Sequence, residues 1–339
     1  MKKLIIILLL VQGFGSQAQD VNFSQFYELP LLRNPSLAGL YSGDYRITGA
    51  YRNQWSSVTV PYVSEALGVE TKFSINQNSD NYIALGLQIT NDVAGDSKLG
   101  KTQFLPVFTF HKSLSEEKNT YLSLGFMGGY VQQRFDPTNL KFGDQFVNGT
   151  YSATNTTQQV FNNTNVTYLD ASVGMNFSNE TEGGTKYYIG ASYFHFNQPK
   201  VAFDKTYDIK LNKKVMINGG LSVPVSDYNK MILYADYFMQ GGNRQFQGGF
   251  MYRFDLLKDD DEDGMFFNLG SFVRWNDAII PVVKLEAHKL GLGFTYDVNM
   301  SKLKVASQSR GGFEVTISYR DYLNIGNSSL SKVRCPVNL

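Results

Sequence analysis

The run Asp259-Asp260-Asp261-Glu262-Asp263-Gly264 spaces Asp259, Asp261 and Asp263 like the start of a calcium loop, with Gly264 at the turn position. Carboxylate oxygens at that spacing can wrap a hard cation. The twelfth position, which should supply a bidentate Glu, is Gly270, so an acidic hairpin turn competes with a calcium site. The three histidines, His111, His195 and His288, lie in three separate runs, none with a Cys or second His at metal spacing. A Ser-His-Asp set could be assembled from distant strands, but no Gly-x-Ser-x-Gly turn marks a nucleophile. Interface or lumen histidines are the simpler reading. The residues predict no catalytic set, no cofactor, and no metal beyond the calcium alternative.

The elements that would position these residues repeat with period 2. In "NYIALGLQIT", Ile83, Leu85, Leu87 and Ile89 share one face, opposite Tyr82, Ala84, Gly86, Gln88 and Thr90. In "FEVTISYR", Phe313, Val315, Ile317 and Tyr319 oppose Glu314, Thr316, Ser318 and Arg320. About fourteen such runs of roughly 9–13 residues follow one another, the length a tilted strand needs to cross a bilayer. They predict an all-β fold: an outer-membrane barrel of about fourteen antiparallel strands. Lipid offers no hydrogen-bond partners, so a sheet can cross only if it closes on itself. Apolar side chains then face lipid, and the small or polar faces, rich in Gly, Ser and Thr with few charges, face the lumen. Aromatics sit near predicted strand ends, as Tyr82, Tyr121, Tyr130, Phe177, Tyr187 and Trp275 do.

Composition agrees. Of 339 residues, 14% are aromatic and only 18% charged, where soluble domains carry about a quarter. Lys plus Arg is 31 against 30 for Asp plus Glu, so no net field points to nucleic acid. Met1-Lys2-Lys3, the apolar run Leu4 to Val11 and the small residues of Ser16-Gln17-Ala18 predict a signal peptide over 1–18, leaving Gln19 as the mature N-terminus. A single Cys, Cys335, rules out a disulfide within the chain.

If the first strand starts at the periplasmic side, the two longest connections, about Phe135 to Val166 and Gln198 to Lys214, fall outside. The connections near Ser113–Asn119, Asn179–Thr185 and Ser226–Asn229 are short and fall inside, as in outer-membrane barrels. The Asn/Thr/Gln-rich stretch Asn148 to Thr167 reads as a polar surface loop that either touches a partner or is simply solvated.

The N-terminal stretch carries a more specific series: Phe23-Ser24-Gln25, then Asn34-Pro35-Ser36-Leu37-Ala38-Gly39, then Gln54-Trp55. This resembles the start of the PorP/SprF family of type IX secretion membrane proteins of Bacteroidetes. The ending Arg334-Cys335-Pro336 is similar to the Cys-Pro finish of many members, although Val337-Asn338 replaces a basic-aromatic end. The resemblance implies a non-enzymatic outer-membrane barrel that assists secretion or surface attachment of a large adhesin-like protein bearing a type IX C-terminal domain. It also implies contact with periplasmic, peptidoglycan-linked secretion components, and places the chain in gliding-motility and secretion systems. A general diffusion channel is the alternative.

Pro30 and Pro35 break any continuous element over residues 19–42. The segment's density of apolar residues argues against a disordered tail. It is expected to plug or anchor the barrel formed by residues 43–339. Phe23, Phe26 and Leu37 would pack, while Gln25 and Asn34 would hydrogen-bond lumen groups.

Overall fold

The computed structural model describes residues 20–56, 60–76, 79–115, 119–257, 264–301 and 310–323. The signal-peptide residues, Asp259, Asp261, Asp263, Cys335 and Pro336 lie outside the described residues.

Alternation yields strands along almost the whole chain. They are β1 (Tyr45–Gln54), β2 (Tyr62–Asn76), β3 (Ser79–Ala94), β4 (Leu99–Ser115), β5 (Thr120–Arg134), β6 (Phe146–Val147), β7 (Thr150–Tyr151) and β8 (Asn165–Glu180). Then come β9 (Lys186–Phe194), β10 (Lys214–Pro224), β11 (Lys230–Gln240), β12 (Asn243–Asp255), β13 (Met265–Arg274), β14 (Ala278–Ala287), β15 (Leu290–Asn299) and β16 (Arg310–Asp321). All except the small pair β6–β7 join one closed antiparallel barrel of fourteen strands, as the periodicity predicts. Strand β1 closes it against β16, in register from Tyr45 opposite Asp321 to Gln54 opposite Gly312. Closure satisfies the edge groups that an open sheet would leave bare. No helix among the described residues is long and apolar enough to cross a membrane; the crossing elements here are strands.

The pleat sorts the side chains as the alternation requires. Leu85, Phe104, Leu124, Leu292 and Ile317 point outward and are exposed on the wall's outer surface. Ala84, Gln88, Thr90, Glu314 and Thr316 point inward and are buried. One expectation fails on the inner face. It is not poor in charge: Arg52, Glu70, Lys72, Asp170, Asp236, Arg253, Arg274, Glu286, Asp297 and Glu314 are all buried there. No strand contributes more than two of these residues, so the sum over a closed barrel is easily missed strand by strand. Tyr82 and Tyr121 sit near strand ends as expected, but they are buried inside, edge-to-face at 5.4 Å, whereas Tyr130 and Trp275 are exposed outward.

Connections differ between the two ends. The long ones, 135–164 and 195–213, share the end at which β1 finishes. Phe135 packs against Phe161 and Phe203 there, joining the two long connections by their rings. Within the first, Asn148 and Gly149, both with positive φ, form the two-residue turn of the β6–β7 hairpin. The polar stretch is not loop to its end: Asn165, Val166 and Thr167 already belong to β8. That strand and β2–β5 are 15–17 residues long, while β9 has 9, so the barrel rim is stepped.

Candidate functional site inside the barrel

Residues 20–41 contain three short turns and no strand: Phe26–Glu28, Pro30–Arg33 and Pro35–Leu37. Prolines open the last two, where a missing N–H costs nothing. Asn34 is extended between them, and its side chain accepts a hydrogen bond from the Ser36 N–H at 3.0 Å, capping the final turn. Almost every side chain from Phe23 to Tyr41 is buried.

The burial is against inward-facing barrel residues. Strands β1, β2, β4 and β8–β16 each hydrogen-bond or ion-pair with the segment. Asp20 lies near the end with the long connections, bonding Lys101 at 2.9 Å and His195 at 2.7 Å. The chain then descends toward the opposite end, where Gly39 donates to Glu70 at 3.1 Å and the Lys72 ammonium donates to the Tyr41 carbonyl at 2.6 Å.

Three clusters hold it. At the long-connection end the backbone N–H groups of Ser24 and Gln25 donate to the two Glu314 oxygens, at 2.7 and 2.8 Å. Ser24 also donates to Asp297, which pairs with Arg52 and Arg274. In the middle, Arg33 pairs with Asp236 and donates to the Tyr188 hydroxyl at 2.6 Å. Burial opposes the Arg33 charge, but Asp236 outweighs it and the guanidinium pKa is raised. Beside it Phe26 meets Tyr234 and Phe272 edge-on, and Tyr27 stacks on both rings. Third, Asn34 donates to the carbonyls of Met175 and Ala191 and to Asn218.

Glycines make room for this path. A Cβ on Gly125 would overlap the backbone of Pro35 and Ser36, and one on Gly174 would overlap the Asn34 side-chain oxygen.

Asp20 forms a fourth, charged cluster with Lys101, His195 and Lys214. Burial pushes the Asp20 carboxyl up, but Lys101, His195 and Lys214 together hold it well below the usual carboxylate range. Burial works against the His195 imidazolium too, but Asp20 and Asp170 outweigh it and raise its pKa. His195 is thus clasped between two carboxylates, at 2.7 and 2.8 Å.

Of the sequence-selected residues, Phe23, Ser24, Gln25, Asn34, Pro35 and Gly39 are gathered inside the barrel. Thr316 donates to the Gln25 side-chain oxygen, and Phe23, Phe26 and Leu37 are buried in apolar clusters. Gln54 and Trp55 are not brought to them; they end β1 at the rim, where Trp55 packs on Tyr62 at 4.9 Å. His111 contacts Ser123 at 2.7 Å, but its other nitrogen meets the Ala38 carbonyl instead of a carboxylate, and both side chains are fully buried. Among the described residues no group of three or more His, Cys, Asp or Glu is arranged to hold a metal ion. Sequence reasoning missed Asp20, Arg33 and Asp236, while His195, read as an interface or lumen histidine, is buried between Asp20 and Asp170. For Asp236 the signal was a charge at the inward position of the alternating run "LYADYF"; Asp20 and Arg33 lie in the irregular segment, where no alternation marks them.

A family model described as "Type IX secretion system membrane protein PorP/SprF" matches residues 15–319. The chain belongs to the PorP/SprF family. As a PorP/SprF protein with a closed barrel and an apolar outer wall, it is an outer-membrane component of type IX secretion. No curated protein matches the chain. Among solved structures it is similar to the translocator domain of the autotransporter NalP from Neisseria meningitidis, with 10% identity over 82% of this chain and 88% of that one, at a TM-score of 0.39. BamA from Haemophilus ducreyi lacking its first three POTRA domains gives 8% identity, 82% and 70% coverage, and a TM-score of 0.40. A TodX monoaromatic hydrocarbon channel mutant gives 10% identity, 85% and 93% coverage, and a TM-score of 0.45.

Proposed function

We propose that this PorP/SprF barrel is a closed, cargo-dedicated partner in type IX secretion, engaging a large adhesin-like surface protein. Its N-terminal segment acts as a plug. The observation that carries this reading is the course of residues 20–41, which bond to nearly every strand and bury their side chains against the inner wall. A lumen so occupied leaves no wide aqueous path, which counts against a general diffusion channel. Cleavage after Ala18 leaves a mature chain whose first described residue, Asp20, bonds Lys101 and His195 at the end with the long connections. The end with long connections faces outward and the short turns face the periplasm, where peptidoglycan-linked secretion components would dock.

A tagged pull-down from detergent-solubilised outer membrane, read by mass spectrometry, tests the cargo assignment. Recovery of one large protein with a type IX C-terminal domain is the expected result. A partnerless barrel, together with unchanged secretion after deletion of the gene, would overturn it.

A further inference from the structure

A closed barrel has no free sheet edge, yet the stepped rim creates one. Strand β8 pairs with β9 only from Val173, opposite Tyr193, onward. On its other side β8 stays paired with β5 up to Asn165 opposite Arg134. Residues 165–172 therefore stand above the top of β9 with one edge lacking a strand among the described residues.

The cause is local. His195 and Gln198 take φ of 56° and 43°, which turns the chain out of the sheet just past Phe194. The last contacts with β8 come from the turn itself. Phe196 N–H donates to the Ala171 carbonyl at 3.2 Å. The Asn197 side chain accepts from Ala171 N–H and donates to the Leu169 carbonyl at 2.7 Å. Leu169 and Ala171 thus aim their backbone groups toward this edge. In a pleated strand, so do Thr167 and Asn165. Among the described residues nothing bonds the N–H of Leu169 or either backbone group of Thr167 on that side. Asn165, Thr167 and Leu169 are exposed, and Leu169 is 69% exposed. The stretch carries none of the Lys or Pro residues with which sheets blunt an edge.

We propose that the upper edge of β8, residues 165–169, is a docking site for an extended strand of the exported protein, added by backbone hydrogen bonding. Alternate N–H and C=O groups at strand spacing select a β-strand rather than a helix. The position, at the long-connection end and beside the exposed Phe196, lets a strand lie along the rim without entering the plugged lumen. The identity of the occupant rests on the secretion reading above.

The test places a photo-crosslinking residue at Thr167 in the full-length protein in its native envelope, with Leu292 on the membrane face as control. The expected result is a discrete adduct at 167, mapping to one extended segment of an exported protein. Leu169→Pro, which removes the edge N–H, should bring that adduct down to the Leu292 background. Leu169→Ala, which keeps the N–H, should retain it, and heat-modifiable mobility of both variants verifies that the barrel is intact. An adduct only with residues 195–213 of the same chain, with a second copy, or with lipid would overturn the proposal. So would an adduct indifferent to Leu169→Pro. Secretion after gene deletion is scored in parallel: unchanged secretion sinks the functional reading, whereas lost secretion with no adduct at 167 sinks strand addition alone.

Discussion

Arg33, on the N-terminal segment, and Asp236, on β11, face each other at 2.6 Å with side chains 3% and 0% exposed. A buried pair of this kind is strongly destabilised when one partner is removed, because the other is left charged and unpaired. Asp236→Asn should therefore cost about 3–5 kcal/mol. Arg33→Met combined with Asp236→Leu should recover much of the loss. Denaturant titration of the refolded barrel in detergent measures both. Equal loss in the single and double variants would mean that the pair is not the anchor.

The glycine under the segment gives a steric prediction. At Gly125 the backbone of Pro35 and Ser36 occupies the space of a Cβ, and backbone cannot swing aside as a side-chain tip can. Gly125→Ala should displace residues 34–37 at a cost of about 1–3 kcal/mol. Proteolysis between Leu29 and Ala38 should become detectable while the barrel keeps its heat-resistant mobility on gels. Protection equal to the parent would contradict the tight fit.

The Asp20 cluster predicts a pH window. The folded pKa of His195 is raised, so its contribution is full below about 6.5 and is lost as pH rises through the folded value. Asp20 is lowered, so its contribution is present above about 4 and is lost as pH falls through its folded value. The outer end of the segment should thus be held most firmly at mildly acidic pH. Hydrogen exchange of residues 21–25, corrected for the intrinsic rate, should accelerate above neutrality. His195→Gln should flatten that rise. An unchanged profile in the variant would remove His195 from the account.

The barrel itself was legible because strand period and bilayer thickness both act locally. Leu85 against Gln88, or Ile317 against Glu314, is sorted by neighbours alone. The wall's charge was not legible. Asp236 finds Arg33 across 203 residues, and Glu314 finds Ser24 and Gln25 across roughly the whole chain. No local pattern encodes such pairs, although each leaves a trace as a charge on an inward position. Tyr82 and Tyr121 lie near strand ends as read, and their parity sends them inward, against His111 and each other, a packing that strand position alone does not specify. Gln54 and Trp55 belong to the same motif series as Asn34 and Pro35, yet the fold leaves them at the rim.

Ion conductance in planar bilayers tests the central claim, that residues 20–41 close the barrel, most directly. The full-length protein should show no steady conductance. A variant lacking residues 20–42, verified as folded by its heat-modifiable mobility, should open a channel. Equal conductance in the two would contradict the plug and return the barrel to the diffusion-channel reading.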